Sequence, residues 1–267
     1  MKTAFKLSCD GISVSYFNEQ IHACGLSGDH CHDKYEITCL LCASGRYIVE
    51  GREHKISEGT VAFISPMTYH KVELDFDKPT EGYTVYFSPS TLNEPLLSML
   101  DSIIDGGGCQ EKFYNAAHLG DALISVFDRF SAAERLDGKA MESYMQALLC
   151  EIIILLSALK GEKSEDDDSE LGARVARYLN ANFKKNVSLD RLARRFFVSK
   201  YYLCRAFKNY SGISVHAYIN QKRIVFAKSL IESGMTAAGA AEKVGYGDYS
   251  AFYRAYVKIL GKSPTAQ

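Results

Sequence analysis

The chain has 267 residues, with 31 Lys and Arg against 32 Asp and Glu, 47% hydrophobic residues and eight cysteines. That length suits two domains, and the composition excludes a disordered or fibrous protein. The cysteines lack any disulfide-framework spacing and no segment reads as a signal peptide, so free thiols, a cytoplasmic location and no membrane partner are expected. The near-neutral total hides a division. Residues 171–267 carry 17 Lys and Arg against 4 Asp and Glu, while the remainder carries 14 against 28. A basic C-terminal part is the electrostatic footprint of phosphate binding. The acidic N-terminal part has no reason to touch nucleic acid.

Residues 35–41, 47–50, 54–56, 60–64, 71–74 and 83–88 are short runs rich in β-branched and aromatic residues and read as strands. Glu50-Gly51-Arg52 marks a tight hairpin, and Gly45 and Gly59 mark further turns. Even spacing with glycine turns predicts a small β-barrel or jelly roll over about residues 10–90. Near its start stands His30-x-His32-x3-Glu36, and Pro66-x3-His70 follows a later turn. On a strand, His30, His32 and Glu36 share one face, because side chains alternate. Such a set suits a metal, a hydroxylated small molecule or a purely structural polar cluster. We expect at least three of the four to converge without a metal or other cofactor, at the polar end of a pocket that includes Tyr47. Tyr35, Phe63 and Tyr86 are expected to line the same interior. Cys39 and Cys42 form a C-x-x-C, but on a strand they point to opposite faces and no second pair follows, so no zinc site is expected.

From Leu92 onward the pattern is helical. Leu119, Ala122, Leu123, Val126, Phe127 and Phe130 predict one amphipathic helix. Met141, Met145, Leu148, Ile152, Leu155 and Leu159 recur in steps of four and three, a coiled-coil-like seam. The seam fits either a helix packed on its own barrel or a homodimer interface, and we expect the dimer. The apolar stretch at 147–159 is interrupted by Glu151 and is too short to cross a bilayer. GEKSEDDDSE at 161–170 reads as an acidic linker. The expected organisation is a sensing and dimerisation domain at 1–160, the linker, and a nucleic-acid-binding domain at 171–267.

Two helix-turn-helix patterns occupy the basic part. In the first, VSLDRLARRFFVSKYYLCRAFK, Ser188 and Ser199 are N-cap residues. Leu189, Leu192, Ala193 and Phe196 form one apolar face, and Leu203, Ala206 and Phe207 the next. Lys200, Tyr201, Cys204, Arg205 and Lys208 fall on the opposite face. In the second, AAEKVGYGDYSAFYRAYVK, Gly245 closes a helix and Asp248 caps the last one. Phe252, Ala255 and Tyr256 point inward. Tyr249, Ser250, Ala251, Tyr253 and Arg254 are the candidates for the outer face. Helices presented this way fit the major groove of duplex DNA, where Arg pairs with guanine and Lys meets phosphate. Residues 216–231 predict a connecting helix of roughly 24 Å, suited to reading heads about one DNA turn apart.

Residues 187–265 resemble the DNA-binding domain of the AraC/XylS family of bacterial transcription regulators. The resemblance rests on SLDRLARRFFVSKYYLCRAFK, YINQKRIVFAKSLI and VGYGDYSAFYRAYVKILGKSP. It implies base contacts from Tyr201, Cys204 and Arg205 in one helix and Ser250, Ala251 and Arg254 in the other. Ala237, Gly239 and Ala240 stand where the family usually has larger aliphatics, which weakens the second reading head. In the same family, sensor domains resemble cupins, and HCHDKYE at 30–36 matches their H-x-H-D-x-Y-E segment. The fold expected is therefore α+β: a cupin-like β-barrel of jelly-roll type with appended helices, followed by an all-α domain of two helix-turn-helix motifs joined by a helix.

Together these readings predict a sequence-specific transcription regulator rather than an enzyme. A small-molecule effector, a sugar being the commonest in such families, binds His30, His32, Glu36, Tyr47 and His70. Duplex DNA, a second copy of the chain and RNA polymerase are the expected macromolecular partners. Two other readings stay open: a cupin metalloenzyme fused to a DNA-binding domain, and a DNA-binding protein whose barrel only oligomerises.

Overall fold

The computed structural model describes residues 4–18, 30–75, 78–104, 111–115, 121–159 and 171–265. The expected linker at 161–170 and Leu119 lie outside them. The chain divides into two compact units: Met1–His30, Lys34–Val49 and Glu53–Asp166 make the first, and Cys31–Asp33, Glu50–Arg52 and Asp167–Gln267 the second.

The N-terminal unit has nine strands: β1 (Phe5–Cys9), β2 (Ile12–Phe17), β3 (Tyr35–Cys42), β4 (Gly45–Val49), β5 (Arg52–Ile56), β6 (Thr60–Ile64), β7 (His70–Leu74), β8 (Glu81–Phe87) and β9 (Glu111–Asn115). Three helices accompany them: α1 (Glu94–Ile104), α2 (Asp121–Arg129) and α3 (Gly138–Ala158). The strands form a six-stranded sheet in the order β1-β2-β8-β3-β6-β9 and a three-stranded sheet in the order β5-β4-β7. Neither order returns on itself. The cupin-like closed barrel expected from the sequence is therefore not formed; the large sheet is open.

The physical reason lies in what covers each face. Side chains alternate along β3, so Ile37 and Cys39 join a core with Phe63, Val85 and Phe87 and with residues of α1, α2 and α3 such as Leu100, Phe127 and Ile153. A sheet face sealed by helices has no need to curl closed. The alternate residues meet the small sheet: Leu40, Ala62, Ile64 and Phe113 pack with Tyr47, Val49, Ile56 and Val72. Tyr35 and Phe63, expected inside a barrel, instead pack on the helix side. At the β4–β5 hairpin, Glu50 and Gly51 both have positive φ, as the tight turn suited to strand twist requires.

The helix α3 carries the four-and-three seam. It runs for 21 residues and is long and apolar enough to cross a membrane by length and composition. In the unit, however, Met145, Leu148, Leu149, Ile152, Ile153 and Leu156 are buried in the sheet–helix core. Met141, Leu155 and Leu159 pack at the edge of that core. Most of the four-and-three seam thus packs within the unit. Glu151, on the outer face, pairs with Arg129 at 2.6 Å.

The C-terminal unit is all helical: α4 (Leu171–Asn182), α5 (Leu189–Arg195), α6 (Lys200–Ser211), α7 (Val215–Glu232), α8 (Ala237–Lys243) and α9 (Tyr249–Leu260). Every start from α5 on is capped by a side-chain oxygen, of Ser188, Ser199, Ser214, Thr236 and Asp248 in turn. Gly212 and Gly261 end α6 and α9 in the left-handed conformation. The connector α7 has 18 residues, roughly 27 Å at the helical rise. Arg223 of α7 donates to the carbonyls of Phe183, Lys185 and Gly245 at 2.7, 2.7 and 3.0 Å. It thereby ties the end of α4 to the turn of the second motif.

Candidate nucleic-acid interface and candidate ligand cluster

The first helix-turn-helix is α5 and α6. Leu192, Ala193, Leu203 and Phe207 are buried, and Phe207 meets Tyr218 of α7 edge-on at 5.2 Å. Leu189, placed on the apolar face by its spacing, is 38% exposed, because it is the first residue beyond the cap. Phe196 is half-buried against Tyr178 of α4, with the Arg174 guanidinium 5.6 Å over its ring. Sequence reading missed α4, although Val175, Ala176 and Leu179 carry a helical spacing. At the turn, Phe197 takes a positive φ and its ring is 94% exposed.

Lys200, Tyr201, Arg205 and Lys208 are exposed on α6, Tyr201 to 76%, and Cys204 is half-buried among them. Lys200 pairs with Asp190 of α5 at 2.8 Å. The ammonium's hydrogen bond holds the Asp190 carboxyl below its ordinary range. Tyr202 of α6 and Arg191 and Arg194 of α5 are also exposed here and were not among the residues expected from the sequence.

The second motif is α8 and α9. Ala240, Ala241, Val244, Phe252 and Tyr256 are buried with Ile224 and Ala227 of α7. The small residues of α8 allow this close approach. Gly239 gives its N–H to Thr236 Oγ1 at 3.1 Å, and a Cβ added there would stand 3.1 Å from the same oxygen. Its cost in helix propensity therefore comes with a local fit. Tyr249, Ser250, Tyr253 and Arg254 are exposed and Ala251 is half-buried. The N–H groups of Ser250 and Ala251 are engaged by Asp248 at 3.1 and 2.9 Å, leaving their side chains to face outward. Arg205 and Arg254 each stand six positions after a capping residue, Ser199 and Asp248. The two heads thus present an arginine at the same helical phase.

A second constellation lies in the N-terminal unit, at one end of the space between its sheets. Glu36 of β3 and His70 of β7 are buried, with His70 Nε2 3.1 Å from Glu36 Oε2. The other ring nitrogen, Nδ1, lies 2.9 Å from the Thr68 carbonyl. Glu36 Oε1 accepts from Tyr47 Oη at 2.7 Å and Thr38 Oγ1 at 2.8 Å. Burial first, and then the Glu36 charge, push the Tyr47 and Tyr86 phenols well up, so both stay protonated donors. His30 exchanges backbone hydrogen bonds with His70 at 3.1 and 2.9 Å, and their rings lie 4.4 Å apart. Potential ligand atoms of His30, Glu36 and His70 lie within 4.8 Å of one another. His30 and His32 are half-buried and form the accessible side. Of the side chains that sequence spacing grouped, His30, Glu36 and His70 converge within this unit, although β3 begins only at Tyr35 and the shared strand face expected for His30, His32 and Glu36 is not formed; the donors Thr38 and Tyr86 were not among them. The cysteines 39 and 42 stand apart from this cluster, Cys39 buried on the helix side and Cys42 near Pro79.

Two capped helix-turn-helix motifs on a basic unit, joined to a separate domain with a buried polar cluster, make a DNA-binding transcription regulator. Residues 192–266 match the family described as "Helix-turn-helix domain". Residues 21–149 match "AraC-like ligand binding domain". Together the two matches span most of the sequence, and both fit an AraC-type regulator. The chain is 25% identical over 241 residues to the HTH-type transcriptional activator RhaS of Enterobacter sp. (strain 638), covering 88% of this chain and 85% of that protein. The RhaS of Citrobacter koseri is similar at the same identity and coverage. The crystal structure of ToxT from Vibrio cholerae O395 aligns over 96% of both chains at 12% identity, with a TM-score of 0.42. This chain is a regulator and not an enzyme. The AraC/XylS part of the sequence resemblance stands, and its cupin-like part is replaced by the open sheet.

Proposed function

We propose that the chain is an effector-responsive transcriptional activator in which α6 and α9 read bases in successive major grooves. Lys200, Tyr201, Cys204, Arg205 and Lys208 serve the first head; Tyr249, Ser250, Ala251 and Arg254 serve the second. The arginines supply base recognition and the lysines phosphate contacts. The assignment to activation follows the curated relatives, which are named as activators.

The effector site is the cluster of His30, His32, Glu36, Tyr47 and His70. The observation that carries this reading is the convergence of His30, Glu36 and His70 between the two sheets of the ligand-binding domain. A hydroxylated or carboxylated small molecule, such as a sugar, suits it, since Glu36 accepts from hydroxyls and imidazoles donate to carboxylates. The ligand acts by binding one functional state of the protein more tightly than another, for no other property of a ligand shifts an equilibrium.

The test uses the full chain. Duplexes selected from a random pool define a preferred site, and thermal-shift screening against sugars and carboxylic acids defines a ligand. His32→Ala is expected to abolish the ligand shift while leaving affinity for the selected duplex within about twofold. A ligand shift unchanged in both His32→Ala and Glu36→Ala would remove the effector site from this cluster.

A further inference from the structure

We propose that Phe197, in the turn of the first helix-turn-helix, is a specificity-determining DNA contact whose ring packs on a thymine methyl beside the bases read by α6. This role rests on the reading of α6 as a recognition helix and adds a residue outside that helix. Three helices of the C-terminal unit, α5, α7 and α8, end in the same way. Their cap residues Phe196, Ser233 and Val244 have φ of −95°, −81° and −92° with ψ of 4°, 8° and 3°. The next residue has a positive φ: 56° at Phe197, 95° at Gly234 and 89° at Gly245. Each ending carries the paired backbone hydrogen bonds of a Schellman motif. In α5 these are Phe197 N–H to the Arg194 carbonyl at 3.3 Å and Val198 N–H to the Ala193 carbonyl at 3.0 Å. Two of the three endings use glycine at the left-handed position, as backbone sterics favour. Gly245 also lies against the Lys184 carbonyl, 2.3 Å from an added Cβ, but at Gly234 a Cβ would meet nothing within 4 Å. Glycine at 234 therefore serves the backbone conformation alone.

Phenylalanine in that position carries two costs. Left-handed backbone is unfavourable for a residue with a Cβ. A ring that is 94% exposed also forgoes the burial that normally stabilises an aromatic side chain. Among the described residues, Glu50 and Met67 are the other non-glycine residues with positive φ. They are buried and half-buried, so packing can hold them; Phe197 lacks that support. Strain kept at an exposed position points to a contact made with another molecule. The location says which one. Phe197 stands two positions before Ser199, whose side chain caps the start of α6. In a helix-turn-helix, that end of the second helix meets the base edges. Arg194 and Arg195 precede the ring and Lys200 follows it, all exposed. An apolar ring within a cationic rim complements an apolar spot within a polyanion. On the base edges of the major groove that spot is the C5-methyl of thymine.

The experiment uses the full chain and the duplex selected from the random pool. Phe197→Gly relieves the backbone and removes the ring. It is expected to unfold in urea at the parent's midpoint or above it, yet to bind the selected duplex about tenfold or more weakly. Each thymine of the site is then replaced in turn by deoxyuridine, which lacks only the methyl. One replacement is expected to weaken binding by the parent chain about fourfold and to leave binding by Phe197→Gly unchanged. Unaltered affinity in Phe197→Gly would overturn the proposal; if transcriptional activation were lost all the same, the ring would belong to a protein partner. A loss of equal size on random duplexes would also overturn it, by assigning the ring to the sugar-phosphate backbone. So would a clear drop in stability, which would mean that the ring supports the fold. Arg205→Ala keeps the two levels apart. If its selectivity relaxes while that of Phe197→Gly does not, only the role of Phe197 falls. If neither variant changes selectivity, α6 is not the reading helix.

Discussion

Arg223 donates its Nη1 hydrogen to the carbonyl of Gly245 at 3.0 Å, while Nε and Nη2 hold Phe183 and Lys185. One guanidinium fork thus joins the connector helix, the end of α4 and the turn of the second reading head. Burial lowers the tendency of this arginine to hold its proton, yet the three carbonyls match its planar donors. Arg223→Lys retains the charge but cannot span three acceptors. It is expected to destabilise the chain by about 1–3 kcal/mol and to broaden duplex selectivity. Urea unfolding and selection from a random pool check the two effects; a variant with unchanged stability would mean that the carbonyls are served equally well by other groups.

The two recognition arginines should differ from the lysines in kind. Arg205→Ala and Arg254→Ala are each expected to cost about 1–3 kcal/mol on the selected duplex and to relax preference at one base pair. Lys208→Ala should instead weaken specific and random duplexes alike and reduce the salt dependence. Fluorescence anisotropy over a salt series separates these outcomes. Equal losses on both duplexes for Arg205→Ala would reassign it to phosphate.

Helix starts give a stability test with an internal control. Ser199 and Asp248 accept from backbone N–H groups of α6 and α9. Alanine at either position is expected to cost about 0.5–2 kcal/mol, whereas Ser250→Ala, an exposed residue beyond the cap, should cost less than about 0.5 kcal/mol. Chemical denaturation measures all three.

Gly172 of α4 packs so closely on α6 that an added Cβ would lie 2.3 Å from Tyr210 Cβ. Gly172→Ala is therefore expected to destabilise by about 1–3 kcal/mol through overpacking, against the usual gain from alanine in a helix. An unfolding midpoint at or above that of the parent chain would show that α4 and α6 separate at little cost.

Burial pushes the Cys39 thiol up to about 12. Near pH 8 it is expected to resist alkylation in the folded chain, while Cys42, half-buried at the end of the same strand, labels first. Peptide mapping after a timed reaction reads the order. Equal labelling would indicate that the sheet–helix core opens readily.

The C-terminal unit was legible almost residue by residue because its signals are local. Ser188, Ser199 and Asp248 cap helices wherever the following residues are helical, and periodicity assigns Leu203 and Phe207 to the inside without reference to the rest of the fold. Leu189 escaped that rule only because it stands at a helix start, where the turn that would bury it has not yet formed. In the N-terminal unit the inner strands were equally readable. Their arrangement was not, since β2 and β9 join the sheet through pairings with β8 and β6 distant in sequence, and those pairings decide whether a sheet closes. The same dependence governs the ligand cluster. Spacing grouped Glu36 with His30 and His32 on an expected strand that in fact begins only at Tyr35, and His70, Tyr47 and Thr68 reach Glu36 only when β4 and β7 fold over β3. Sequence determined which residue types could bind a ligand there. Tertiary structure decided which donors reach Glu36, Tyr47 and Thr38 at Oε1 among them, because hydrogen-bond partners are set by where the neighbouring strands lie.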